Sequence, residues 1–322
     1  MGLPFGSMTD PVPDSPIVSP AYPALVFTNA AAGGRRRNAF LPRAQALFNR
    51  LGFPAEFIAT QNAEELEWHA HRAIADKRKL LFAMGGDGTF QGLVNATFGE
   101  DVVLGILPTG GGNDFAAALG LPSNPLKAAE AVLHGQPRLV DLVRVRTAEG
   151  RTRLYAGGGG VGLDAEAARY ASGAYRRLPA RLRYIASALR ALAGFTPIKV
   201  RVDFPGSDLP PFEAKALLAA VLNSPTYGAG LRLAPDATVN DGSLHVVLIE
   251  ELSTLGVLIL LPRLMGSGEL RTSRVKRWRA QRVRLTTDRP CLFHGDGEIL
   301  GPTPVEIEIV PNAVRVLAPI LR

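Results

Sequence analysis

Over the first third of the chain, short apolar runs alternate with longer, helix-spaced segments. Leu25-Val26-Phe27, Ala55 to Ala59, Leu80 to Met84 and Val102 to Leu107 have the length and composition of strands, the last with the pattern of a buried one. Helical spacing lies between and after them: around Arg43 to Leu51, over Ala63 to Asp76, after Gly88, and over Phe115 to Leu119. Strands alternating with helices predict a parallel sheet with helices on both faces. Ligands of such sheets gather at the carboxyl ends of strands. The residues that follow each run are therefore the ones to read for chemistry.

From about Arg138 the pattern changes. Val140 to Arg146, Thr152 to Ala156, Ile198 to Phe204, Ala216 to Leu222, Leu244 to Ile249, Arg282 to Thr286 and Pro290 to His294 read as strands with few helices between them. This predicts a mainly antiparallel β domain, a sandwich in the simplest case. A helical insertion, Pro179 to Gly194, carries apolar residues at Leu182, Ile185, Leu189 and Leu192. The apolar stretch Leu252 to Met265 is too short to span a bilayer and is interrupted by Pro262. It reads as a core helix or a wall of the substrate site. The fold class expected is an α/β N-terminal domain with a parallel sheet, followed by a mainly antiparallel β-sandwich domain. The boundaries expected are a mobile, Pro- and Ser-rich tail over 1–20, a first domain over 21–137 and a second over 138–304.

Three turns carry the candidate chemistry. The strand Leu80 to Met84 runs into Gly85-Gly86-Asp87-Gly88-Thr89 and then a helix. Glycines let the backbone approach a ligand closely, and a helix N-terminus presents unpaired N–H groups to an anion. About twenty residues on, Pro108-Thr109-Gly110-Gly111-Gly112-Asn113-Asp114 repeats the arrangement, with Asn113 or Asp114 where an N-cap is wanted. Far downstream, His294-Gly295-Asp296-Gly297-Glu298 places two carboxylates in a turn between strands. A tight strand–helix turn without a ligand, an N-cap role for Asp87 and a plain hairpin at Asp296-Gly297 are the structural alternatives. Gly157 to Gly162 also satisfies G-x-G-x-x-G. The basic segment that follows lacks the strand and acidic residue a dinucleotide site wants, so a dinucleotide fold is disfavoured.

GGDGT, then P-x-G-x-x-N-D-F-A, then a late D-G-E, in this order and spacing, resembles the bacterial diacylglycerol kinase-type lipid kinases, whose catalytic domain sphingosine and ceramide kinases share. The resemblance covers roughly residues 22 to 320. It implies an ATP- and Mg2+-dependent lipid kinase, with diacylglycerol as the leading acceptor. It implies nucleotide contacts from Asn29, Gly33, Thr60, Gly85, Gly86, Asp87, Gly88, Thr89, Gly110, Gly111, Asn113 and Asp114. Catalytic roles fall on Asp87, Asp296 and Glu298, with either of the last two as the base. Asn240-Asp241-Gly242-Ser243 resembles the family's Asp-Gly turn around a structural magnesium, implying Thr238, Asp241 and Ser243 as its ligand positions; a simple turn is the alternative. The family fold also implies that the last strands, within 305–322, return to the first domain. One departure is Gly111, where the family pattern has Thr.

Composition narrows the alternatives. One cysteine, Cys291, excludes an internal disulfide framework, and one cysteine with five scattered histidines gives no zinc spacing. No GxxxxGK[ST] sequence is present, which disfavours a P-loop kinase. The net charge of +7, with basic clusters at Arg35-Arg36-Arg37, at Arg176, Arg177, Arg181 and Arg183, and from Arg271 to Arg284, suits an anionic partner. No nucleic-acid-binding signature accompanies it. The expectation is a cytoplasmic protein, peripherally associated with an anionic membrane surface, with a homodimer left open. An NAD kinase, which shares GGDG, and a non-catalytic nucleotide- or lipid-binding regulator are the alternative functions.

Overall fold

The computed structural model describes residues 23–29, 34–163, 186–187, 190–192, 194–228, 230–270 and 272–320. The tail over 1–20, Gly33, the basic residues Arg176, Arg177, Arg181 and Arg183, and most of the expected helical insertion lie outside them.

The N-terminal half is built on four parallel strands: β1 (Ala24–Asn29), β2 (Ala55–Thr60), β3 (Leu80–Gly85) and β4 (Val103–Pro108), in the order β2-β1-β3-β4. Asn29 pairs with Thr60, and Gly85 with Pro108, so the carboxyl ends of all four strands share one rim. β3 and β4 are buried along their whole length, as continuous apolar runs in a parallel sheet should be. Helices α1 (Gly34–Arg50), α2 (Ala63–Ala75), α3 (Asp87–Thr97), α4 (Asp114–Ala118) and α5 (Pro125–Leu133) cover the strands. Phe48 of α1 meets Phe53, Phe57 and Phe82 edge-on, with ring centroids 5.4–5.7 Å apart. α2 starts where Asn62 accepts from the Glu65 amide, and α5 where Asn124 accepts from the amides of Leu126 and Lys127.

The C-terminal half is mainly antiparallel. Its strands are β5 (Gln136–Thr147), β6 (Thr152–Tyr155), β7 (Gly158–Gly162), β8 (Ile198–Asp203), β9 (Phe212–Leu222), β10 (Leu244–Glu250), β11 (Val275–Ala280), β12 (Arg282–Thr287), β13 (Leu292–Gly295), β14 (Glu298–Pro302) and β15 (Val305–Ala318). Helix α6 (Thr254–Met265) lies between β10 and β11. The sequence shows β15 as two strands. It runs as one, across a bulge between Val310 and Val314, pairing antiparallel with β5 and β12 and parallel with β4. Through β15 the fifteen strands of the described residues join one hydrogen-bonded sheet.

Gly157 to Gly162 is not a phosphate turn. β7 pairs antiparallel with β9 on one side and β13 on the other. A Cβ on Gly159 would stand 2.6 Å from the His294 carbonyl oxygen, and one on Gly160 2.8 Å from that of Ala219. The glycines are there because neighbouring strands leave no room for side chains.

Candidate active site

The two glycine turns at the ends of β3 and β4 pack against each other. A Cβ on Gly110 would lie 2.5 Å from the Gly86 Cα. The amides of Thr109 and Gly110 both donate to the Gly85 carbonyl. Asn113 adopts a left-handed conformation (φ 60°) and folds its side chain back on the turn. Its Oδ1 accepts from the Gly110 amide at 3.1 Å, and its Nδ2 donates to the Gly110 carbonyl at 3.0 Å. Asn113 therefore closes the loop and makes no side-chain capping bond to α4.

That capping comes from the other turn. The Asp87 carboxylate accepts from the amides of Asp114 (3.2 Å) and Phe115 (3.2 Å). The alternative of Asp87 as cap of its own helix is thus replaced by a cross-link between the two motifs. Phe90 of α3 stacks on Phe115 of α4, centroids 5.0 Å apart, and fixes the same spacing from below.

The acidic turn reaches this rim from the C-terminal half. Asp296 is left-handed (φ 49°), and its carboxylate accepts three backbone amides: Ala156 at 2.7 Å, Gly157 at 3.0 Å and Gly158 at 3.0 Å. It clamps the β13–β14 hairpin onto the start of β7. Glu298 is exposed, and a Cβ on Gly88 would sit 2.9 Å from its Oε1. The third glycine of GGDGT leaves the space that this carboxylate fills. The Asp114 carboxylate accepts from the Gly230 amide at 2.8 Å, which brings the loop after β9 to the same place.

Asp87, Asp114, Asp296 and Glu298 thus converge on one cleft. Loss of solvation pushes Asp87 up to about 7, with the nearby charges of Asp114 and Asp296 adding to the rise. Loss of solvation likewise pushes Asp296 up to about 6, against its three amide donors. Asn29 and Thr60 stand next to each other farther along the rim. Gly111 is exposed in its turn, and Thr89 and Thr109 are buried beneath theirs.

The Asp-Gly turn differs from the ligand set that the resemblance implies. The Asp241 carboxylate is already met by His245 Nε2 at 2.8 Å, Arg279 at 3.4 Å and the amides of Ser243 (3.0 Å) and Thr238 (3.4 Å). These are hydrogen-bond donors and cations, and they saturate the carboxylate. Thr238 and Ser243 contribute amides where the expectation was ligand oxygens. Among the described residues, no three His, Cys, Asp or Glu side chains are placed together to hold a metal ion.

Residues 23–145 match the diacylglycerol kinase catalytic domain family, and residues 159–318 the YegS C-terminal NAD kinase beta sandwich-like domain family. A diacylglycerol kinase of Mycobacterium tuberculosis (strain ATCC 25618 / H37Rv) is 30% identical over 249 residues, covering 77% of this chain and 79% of that protein. The chain belongs to the diacylglycerol kinase family of lipid kinases. A diacylglycerol kinase of Bacillus subtilis (strain 168) is 25% identical over 299 residues, 92% of this chain and 96% of the relative. The crystal structure of a diacylglycerol kinase from Bacillus anthracis str. Sterne shares the fold, with a TM-score of 0.68 over 92% of this chain and 97% of that one, at 18% identity.

Several residues that hold this family member's cleft together escaped the sequence reading. Asp141 is buried, and its carboxylate accepts from the amides of Gly242 (2.7 Å) and Asn312 (2.8 Å). Asn223 is buried and donates to the carbonyls of Asp141 and Ala156. Asn95 of α3 pairs with both backbone groups of Leu154, at 2.8 and 2.9 Å, and ties the GGDGT helix to β6. Two amide side chains one helical turn apart, Gln91 and Asn95, were the available signal, and both donate to the Leu154 carbonyl. A lone Asp inside the strand Val140 to Arg146 was the signal for Asp141.

Proposed function

We propose that the protein transfers the γ-phosphoryl group of ATP to the hydroxyl of a membrane lipid, diacylglycerol by preference, and that Glu298 accepts the hydroxyl proton. The observation that carries this reading is the meeting of GGDGT with the acidic turn, where Gly88 makes room for Glu298 beside the capping carboxylate of Asp87. The two glycine turns, with Asn29 and Thr60 on the same rim, would receive the nucleotide, because backbone N–H groups suit phosphates. In the reaction an acceptor O–P bond forms, the bond from the γ-phosphorus to its bridging oxygen breaks, and the acceptor proton moves to a carboxylate.

The roles of the two turn carboxylates divide on geometry. Asp296 has its oxygens committed to three amides and acts as a positioning residue for the hairpin. Among the described residues no hydrogen bond reaches the Glu298 side chain, and its exposed carboxylate stands beside Gly88 at the end of the glycine turn. Asp87 and Asp114, whose like charges disfavour each other, would hold a divalent cation only through the lone pairs that their amide donors leave open. Bound Mg2+ would neutralise phosphate charge there.

Two substitutions test the division. Glu298→Gln should leave the melting temperature and ATP affinity near wild type and lower kcat by about 10²–10⁴-fold. Asp296→Asn should lower kcat and also the melting temperature, because Asn keeps one acceptor oxygen for the three amides of Ala156, Gly157 and Gly158 and turns an NH2 donor toward at least one of them. Phosphoryl transfer is measured with labelled ATP against a lipid panel that includes NAD. Wild-type turnover by Glu298→Gln rejects the base assignment, and transfer to NAD alone rejects the lipid acceptor.

A further inference from the structure

Helix α6 is apolar all round. Arg263 is the one charged residue in its twelve positions, TLGVLILLPRLM. A helix of that composition in a soluble domain is normally buried on every side. Here one stripe, with Leu260 and Leu264, joins a core with Leu233 and Ala234 of the β9–β10 connection and Val247 and Ile249 of β10. The opposite stripe is open: Leu255 is 67% exposed, Leu258 44%, Ile259 57% and Met265 44%, and Pro262 continues the same face. Leu255, Leu258 and Ile259 stand at three- and four-residue spacing, and Pro262 links them at the same spacing to Met265, so the residues share one face of the helix, which scattered surface apolar residues do not.

The surroundings define what covers it. Arg263 on the helix and Arg232 beside its C-terminal turn are exposed, and no carboxylate pairs with either among the described residues. Glu251 and Glu269 stand beyond the two ends of the helix, outside the stripe. The helix is also wired to the cleft. The Arg232 amide donates to the Leu264 carbonyl at 2.7 Å, and two residues earlier the Gly230 amide donates to Asp114. Tyr227 of the same loop lies over the glycines of β7.

We infer that the outer face of α6 is a docking surface for an anionic lipid bilayer, with Leu255, Leu258, Ile259 and Met265 entering the interface and Arg232 and Arg263 meeting headgroup phosphates. An apolar stripe with flanking cations is the pattern of a helix lying in the membrane plane. The inference rests on the lipid kinase reading for its purpose, since the acceptor then enters beside the loop that touches Asp114.

The test is sedimentation with vesicles of phosphatidylcholine alone and of phosphatidylcholine with phosphatidylglycerol. It is paired with phosphorylation of bilayer diacylglycerol and of a water-soluble short-chain diacylglycerol. Leu258→Glu combined with Ile259→Glu should reduce binding to the anionic vesicles by about tenfold or more. Turnover of bilayer diacylglycerol should fall with it, while turnover of the soluble substrate is unchanged. Arg232→Glu with Arg263→Glu, which leaves the apolar stripe intact, should reduce anionic-vesicle binding and steepen nothing on neutral vesicles. Vesicle binding by the first variant equal to wild type overturns the inference. So does a wild-type dimer that the same variant converts to monomer with vesicle binding retained, since the face is then covered by a second copy. Loss of vesicle binding in a protein that phosphorylates neither substrate leaves the docking surface standing and removes the lipid kinase reading.

Discussion

Asp87 serves two motifs at once, which gives its substitution a signature unlike that of Glu298. Asp87→Asn keeps one acceptor oxygen for two amides of α4, so the glycine turns lose part of their cross-link. Nucleotide affinity, measured by calorimetry, should weaken together with turnover, whereas Glu298→Gln should affect turnover alone. The raised pKa values of Asp87 and Asp296 fix a second expectation at this scale. Both groups hold their protons more tightly folded than unfolded. Between the ordinary carboxylate range near pH 4 and pH 6–7, the native state therefore binds more protons than the unfolded one, and stability falls as pH rises. In nucleotide-free protein with chelator present, Asp87→Asn should lose this component. The difference in melting temperature between the variant and wild type should move in the variant's favour from pH 4 to pH 7.5. A difference that stays constant across that range would reject a proton held on Asp87.

At the scale of elements, the β7 glycines connect packing to chemistry. A methyl group at residue 159 must displace the His294 carbonyl, one residue before the Gly295-Asp296 turn. Crowding of this kind costs about 1–3 kcal/mol in a well-packed site. Gly159→Ala should therefore lower stability by that amount in chemical denaturation and reduce kcat through displacement of Glu298, with ATP affinity retained. This element also shows what the sequence does and does not make legible. The parallel strands, their helices and all three motif turns could be read, because buried runs and glycine turns are local signals. β11 could not, since Arg277 and Arg279 alternate with Lys276 and Trp278 and present as a basic cluster. The cap on α4 could not either: Asp87 and Phe115 meet only through tertiary packing, while the local pattern points to Asn113. The partners of Asp241 are hidden for the same reason, because Arg279 lies far away in sequence and reaches the carboxylate only through the pairing of β10 with β11.

At the scale of the whole molecule, β5 and β15 belong to both halves. β15 pairs with β12 at its start and with β4 near its end, and β5 runs beside it throughout. Asp141 of β5 sits opposite the β15 bulge, accepting from Asn312 within it and from Gly242 in the Asp-Gly turn. The hydrophobic cores of the halves are distinct clusters, one around Phe27, Phe82 and Leu104 and one around Val143, Val221 and Leu285. Separate cores favour separate unfolding, and shared strands favour a single transition. The shared strands should win, because neither core can lose β5 or β15 without exposing the apolar residues those strands contribute to it. Calorimetry of the wild type should show one transition with matching calorimetric and van't Hoff enthalpies. Asp141→Ala removes the common acceptor of two part-buried hydrogen bonds, from Gly242 and Asn312, at about 1 kcal/mol for each. It should lower the whole transition and broaden it, with intrinsic fluorescence at Trp68 in the first half and Trp278 in the second, resolved by single-Trp variants, beginning to diverge. Two resolved transitions in the wild type would show that β15 is a tether between independent domains and that the cleft between them is held by ligand.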